Sequence, residues 1–294
     1  MNAMRANGAS PSNASPDATA HSTKAVTPEM FPLVDGRVRT RSLEVHIVDH
    51  CNLRCWACCS LSPFLPKWFI DPADLERDLS RAKRALAPTC FKLVGGEPLL
   101  HPQILECLQI ARASGISGII SVTTNGFLLP RMADRFWELI DAMTISLYPQ
   151  PALPEPTRRL VEQRAQRHGF QVNWKRQNEF ADMDLVEARV NDAETEMVYA
   201  NCWLRRRCHI LSRGRFYACT RPPHFATLFQ AHARFEKDGI PLSEDAGLAE
   251  RIREYLLRKE PLVACLFCNG GDAPTRPHRQ LSADEVSQRI AQSL

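Results

Sequence analysis

The chain of 294 residues lacks a strong charge of either sign: a formal net charge of +4 is too mild to imply a polyanionic partner. Nucleic-acid binding therefore has no support. Residues 1–30, rich in Asn, Ala, Ser, Thr and Pro, contain no apolar run long enough for a secretory signal or a membrane span. Residues 1–38 are expected to be a disordered tail, and no membrane partner is expected. There is no internal repeat, and no cysteine follows Cys268. With 44% hydrophobic and 24% charged residues, the rest is ordinary globular material, enough for a large domain and a smaller one. Cysteine is the conspicuous exception, with eleven. Without an export signal, they point to a reducing compartment, where thiols serve metals or catalysis, and to a cytoplasmic location.

Three of these thiols, Cys51, Cys55 and Cys58, follow a strand-like run, Leu43 to Val48, at spacings of four and three residues. A four-iron cubane normally takes four thiolates, so a tight loop offering three leaves one iron open to an outside ligand. Further on the chain reads Gly95-Gly96-Glu97-Pro98. Together these motifs resemble the radical SAM superfamily, over roughly residues 40–270. The resemblance implies that Cys51, Cys55 and Cys58 hold a 4Fe-4S cluster whose free iron chelates S-adenosylmethionine (SAM), with Gly95, Gly96, Glu97 and Pro98 lining the methionine amine. A competing reading is a four-thiolate zinc site that joins Cys55 and Cys58 to Cys265 and Cys268. Zinc explains neither Cys51 nor the glycine pair.

Local signals alternate strand and helix. Asp71-Pro72 starts a helix with Leu75, Leu79, Ala82 and Leu86 on one face. Phe91–Val94, Ile119–Thr123, Met143–Leu147 and Phe170–Trp174 read as strands; helices are expected from Pro102 to Gly115, over Met132–Ile140, and over Thr157–His168. Five such units, and a suspected sixth, imply an α/β fold: a partial (β/α)6 barrel with chemistry at the C-terminal strand ends. The barrel core is expected over residues 39–180 and a small cysteine-rich α+β domain over 181–270. Residues 271–294 are expected to be a tail with one short helix, capped by Ser282 and Glu285.

The later thiols, Cys202, Cys208, Cys219, Cys265 and Cys268, resemble the SPASM and twitch extensions that hold auxiliary clusters. A hairpin from Cys208 to Cys219 and a CxxC turn let four of the five converge on one auxiliary 4Fe-4S cluster. Cys202 and Cys208 compete for one place, and structural zinc is the alternative occupant. The resemblance also implies SAM contacts from Ser146 and Arg158. Tyr148 and Ala57 depart from the usual pattern, leaving adenine packing to Trp56 or residues near Asn125. Cys59 is a candidate hydrogen-atom donor, and Cys90 and Cys107 read as small core residues. Arg205, Arg206, Arg207, Arg213, Arg215 and Arg221 read as a solvated basic face, or as recognition of an anionic substrate or acidic electron donor. His209 and His224 are lone histidines that could ligate a metal.

The expected function is reductive cleavage of SAM to a deoxyadenosyl radical and hydrogen abstraction from a small polar metabolite, oxidised with the auxiliary cluster as acceptor. A flavodoxin or ferredoxin would supply electrons. The alternatives are a peptide maturase performing epimerisation or crosslinking, and a non-catalytic zinc or iron-sulfur scaffold.

Overall fold

A computed structural model describes residues 25–293. Its first elements are β1 (Leu33–Val34) and β2 (Arg37–Val48), which pair as an antiparallel hairpin. Phe31 and Val38 are buried here, so apolar anchoring reaches into the segment expected to be a tail. Residues 1–24 lie outside the described part.

The chain then alternates. Helix α1 (Pro72–Ala85) leads to β3 (Leu86–Gly95), α2 (Ile104–Ser114), β4 (Ile120–Thr124) and α3 (Asp134–Glu138). Next come β5 (Ala142–Leu147), α4 (Glu155–His168) and β6 (Gln171–Arg176). The Asp71 carboxylate accepts from the Ala73 N–H at 2.8 Å, and Leu75, Leu79 and Ala82 bury the face that packs on the sheet. Gly115 and Gly169 end α2 and α4 in left-handed backbone. Strands β2 to β6 lie side by side, all parallel, in chain order.

The later hairpin does not stand apart in a second domain but joins this same sheet. After β7 (Glu179–Ala181), α5 (Asp192–Asn201) and α6 (Leu204–Arg207), strand β8 (Ile210–Ser212) pairs in parallel with β2 on its free edge, matching Glu44 to Ile210. This is the sixth parallel strand. Strand β9 (Arg215–Tyr217) follows as the second hairpin arm, then α7 (Arg221–Leu228), α8 (His232–Phe235), β10 (Gly239–Pro241) and α9 (Leu248–Leu257). Strands β9 and β10 extend the same sheet antiparallel. The result is a mixed α/β fold built on the parallel sheet of a partial barrel.

The final segment is not a free tail either. Strand β11 (Thr275–Pro277) pairs with β7, and α10 (Ala283–Ala291) begins with the reciprocal capping box of Ser282 and Glu285. Between them, the Leu281 N–H donates to the Arg54 carbonyl at 2.7 Å and the Trp56 N–H to the Arg279 carbonyl at 2.9 Å. The chain end is thereby fastened to the cysteine loop. Among the described residues, no helix is long and apolar enough to cross a membrane.

Candidate functional site

Cys51, Cys55 and Cys58 lie on the loop that leaves the C-terminal end of β2, beside the turn that leaves β3. The two turns nearly touch. The Gly96 N–H donates to the Val48 carbonyl at 2.8 Å and the Glu97 N–H to that of His50 at 3.1 Å. A Cβ on Gly95 would sit 2.2 Å from the Val48 oxygen, and one on Gly96 2.1 Å from the His50 oxygen. The glycine pair is therefore demanded by the approach of two backbones. Ala57, just before Cys58, holds a left-handed φ of 53°, a local strain of the kind that gathers at functional loops.

Burial raises the pKa of all three thiols, that of Cys58 to about 12. Neighbouring thiols add to the effect: Cys58 and Cys55 on Cys51, Cys59 and Cys55 on Cys58, and Cys59 on Cys55. Such thiolates are stable only beside a strong positive centre, which is what metal coordination provides. Hydrogen-bond donors already aim at the sulfurs. The Leu53 N–H reaches Cys51 Sγ at 3.3 Å, and the Gln280 amide and His278 Nε2 each lie 3.3 Å from Cys55 Sγ. Hydrogen bonds to cluster sulfurs tune reduction potential, so the donor set fits an iron-sulfur group.

Glu97 differs from expectation. Its side chain is fully buried and turned into the protein: Oε1 accepts from the Leu99 N–H and the Thr124 hydroxyl, and Oε2 from the Asn125 N–H at 2.8 Å. Burial nevertheless pushes its pKa up to about 7, against the pull of those bonds. Glu97 thus ties the β3 turn to the β4 turn, and Pro98 is buried behind it, leaving backbone to face any ligand. Asn125, so placed, sets its side-chain amide 2.6 Å from Asn52 Oδ1 and 3.7 Å from Cys51 Sγ.

Ser146 and Arg158 are separated by the sheet. Trp174 pairs with Ile145 and shares its helix-facing side, and the Arg158 guanidinium stacks on that indole at 5.2 Å. Ser146 points the other way, bonding Tyr148, whose environment includes all three loop thiols. Arg158 is therefore a packing residue on the outer face, whereas Ser146 and Tyr148 belong to the cysteine side. The Tyr148 ring stacks on His278 at 4.8 Å.

Of the later thiols, Cys202, Cys219, Cys265 and Cys268 line one cavity. Cys208 does not. It lies over the inner face of the sheet, where its charged neighbours are Glu44, Lys92, Cys59 and Lys175. Cys202 and not Cys208 faces this cavity, because the short α6 helix carries Cys208 away toward β8. The Gly271 N–H donates to Cys202 Sγ and the Gly270 N–H to Cys268 Sγ, each at 3.3 Å. Arg189 braces the CxxC turn through the carbonyls of Cys265 and Cys268.

The basic residues are not simply a solvated face. Arg205 is buried over Tyr199, 3.8 Å from its ring centre, and donates to the Arg258 carbonyl. Arg221, 2% exposed, donates to the Cys59 carbonyl and to Asp184 Oδ1, and lines both the four-thiol cavity and a second one beside Trp56 and Cys58. Cys59 itself packs against the core, and Cys107 is buried against His101. His209 is held by the Arg205 carbonyl, its pKa pushed down to about 4 by burial. The reading from residues missed His278, Gln280, Asp184 and α10 as parts of this site. Nothing local marks them; each reaches it through long-range folding.

The family model of the Radical SAM superfamily matches residues 45–166. The GTP 3',8-cyclase of Microcystis aeruginosa is 33% identical over 102 residues, covering 33% of this chain and 30% of the relative. That of Trichodesmium erythraeum is 32% identical over 139 residues, covering 45% and 41%. The chain thus spans well under half the length of these relatives. Among solved structures, BtrN in complex with AdoMet and 2-DOIA superposes at a TM-score of 0.48 with 17% identity, covering 80% of this chain and 94% of that one. Streptococcus suis SuiB bound to S-adenosylmethionine superposes at 0.38 with 19% identity, covering 46% and 34%. Residues 45–166, with the cysteine loop and the glycine turn at their strand ends, form a radical SAM domain, of the family that works with a 4Fe-4S cluster and SAM.

Proposed function

We propose that the chain is a two-cluster radical SAM enzyme that takes a hydrogen atom from a small polar metabolite and oxidises it, with the later thiols holding the electron-accepting cluster. Cys51, Cys55 and Cys58 would hold the first 4Fe-4S group, and Cys202, Cys219, Cys265 and Cys268 the second. When bound, the first group supplies the electron and the open coordination site for SAM cleavage. The observation that carries the reading is Arg221, a buried side chain on the wall between the four-thiol cavity and the cavity beside Cys58. One wall joins both thiol groups.

The chain's own residues have definable tasks. Asn125 steadies Cys51, and Gln280 directs a donor onto Cys55 beside His278. Asp184 clamps Arg221 at 2.9 Å and Arg289 at 3.1 Å, so the cavity presents charges of both signs on fixed supports. Such a lining suits a metabolite rich in hydroxyls or amines. Helix α10 forms one side of this cavity through Glu285, Gln288 and Arg289. The likeness to GTP 3',8-cyclases covers too little of them to carry their substrate across. A flavodoxin or ferredoxin is the expected donor.

The test is anaerobic reconstitution. Wild type should hold about eight irons per chain and form deoxyadenosine under dithionite; replacing Cys51, Cys55 and Cys58 by Ala should leave about four and abolish cleavage. Loss of Cys219 should spare SAM cleavage but stop product formation. A colourless zinc protein, or full cleavage by the triple variant, would refute the reading. Activity only on peptides would favour a maturase.

A further inference from the structure

A cluster apart from both thiol groups joins β2 to α7. His46 on β2, Asp49 just beyond it and His224 on α7 have one ligand atom each within 4.8 Å of the others, and all three are buried, at 2%, 0% and 0% exposure. Each of these side chains carries an unpaired buried polar atom: His46 Nδ1, Asp49 Oδ1 and His224 Nε2. Among the described residues none of the three has a hydrogen-bond partner. His224 Nε2 lies 3.8 Å from Asp49 Oδ1, too long for a hydrogen bond. Buried polar atoms left unpaired call for an explanation.

The opposite ends of the same side chains are tied. The Thr220 hydroxyl lies 2.9 Å from His224 Nδ1 and 3.3 Å from His46 Nε2. A hydroxyl oxygen has two lone pairs, so it can accept an N–H from each ring. Each imidazole then keeps its other nitrogen, His46 Nδ1 and His224 Nε2, unprotonated and available as a ligand. On the carboxylate, Oδ2 is taken by Arg213 at 2.9 Å, leaving Oδ1 for the centre. Ligand histidines and carboxylates held by such outer partners are the usual construction of a metal site. Burial also keeps both rings neutral, lowering the pKa of each. Two guanidinium groups, Arg213 and Arg221, oppose a cation here, but each is engaged by a carboxylate, Asp49 and Asp184.

We propose that His46 Nδ1, His224 Nε2 and Asp49 Oδ1 bind a divalent first-row transition metal ion, with zinc as the matching probe, in a site separate from the iron-sulfur thiols. Two imidazoles and one carboxylate suit zinc or ferrous iron, not calcium or magnesium, which prefer oxygen. The ion would bolt the strand that launches the Cys51 loop to the helix that follows Cys219. It therefore fixes the two thiol groups relative to each other. The proposal does not depend on the chemistry performed at either.

The experiment uses the full chain with its iron-sulfur groups reconstituted first, then equilibrated with buffered low-micromolar Zn2+ and desalted. Wild type should retain about one zinc per chain, and H46A and H224A at least tenfold less. T220V, which keeps the ligands but frees the rings, should weaken zinc binding about tenfold or more. X-ray absorption at the zinc edge of wild type should show only nitrogen and oxygen neighbours, at about 2.0–2.1 Å. A sulfur shell near ~2.3 Å would mean that zinc sits on the cysteines and would overturn the site. So would wild-type zinc no higher than that of the variants. If the variants do not fold, the wild-type absorption spectrum alone decides.

Discussion

Replacing Gly96 with Ala tests whether the glycine pair exists to let two turns touch. The new Cβ would lie 2.1 Å from the His50 oxygen, and reaching even 3.0 Å means parting the two backbones by roughly 1 Å. Neither the Gly96–Val48 nor the Glu97–His50 hydrogen bond, at 2.8 and 3.1 Å, survives that displacement. Two lost bonds at about 0.5–1.5 kcal/mol each, with about 1–3 kcal/mol of overpacking strain, give a loss of about 2–6 kcal/mol. For a chain of this size each kcal/mol lowers Tm by about 2–4 °C, so melting of the iron-free protein should fall by at least about 4 °C. Iron retained after reconstitution should fall as well, because the displaced loop carries Cys51. Gly118→Ala is the control: its Cβ meets nothing within 4 Å, so its effect should stay within about 0.5 kcal/mol. A Gly96→Ala protein that melts with wild type and loads iron fully would refute the argument.

Glu97 carries a pH signature: its folded pKa of about 7 exceeds the unfolded value of about 4.3, so the folded chain holds a proton that the unfolded chain has released. Its contribution to stability should therefore fall as pH rises through that window, by at most about 1.4 kcal/mol per unit, and level off above it. Buried His46 and His224 have the opposite sign but cancel in the difference between wild type and Glu97→Gln; parallel urea-stability profiles from pH 4.5 to 7 for the two proteins would sink this assignment. Cys202→Ser should lose the iron of the later thiols, whereas Cys208→Ser should keep it, read by iron analysis and electron paramagnetic resonance. Equal losses would mean that the cavity is not the cluster site.

The elements legible in the sequence are those whose cause lies within four residues. Asp71-Pro72 opens α1, Gly115 and Gly169 close α2 and α4, and Ser282 with Glu285 caps α10, because capping is a bond between near neighbours. The cysteine loop was legible for the same reason: three thiols within eight residues must converge whatever surrounds them. The reading failed where partners come from afar. The hairpin reads as part of a separate domain because nothing in Ile210–Ser212 announces that β2 still has a free edge. Ser146 and Arg158 looked like companions in sequence, yet the sheet stands between them.

By itself, then, the sequence determined the alternating strands and helices, the trio Cys51, Cys55 and Cys58, and the glycines that admit the neighbouring turn. These follow from short-range geometry and from the chemistry of thiols. Tertiary structure alone decided that Cys202 and not Cys208 joins Cys219, Cys265 and Cys268, that Glu97 faces inward, and that residues 278–281 return to the cysteine loop. It also brought His46 and Asp49 to His224, about 175 positions away in the chain. Such meetings depend on how the whole sheet closes, since the loop entropy of joining distant segments is repaid only by the packing of everything between them.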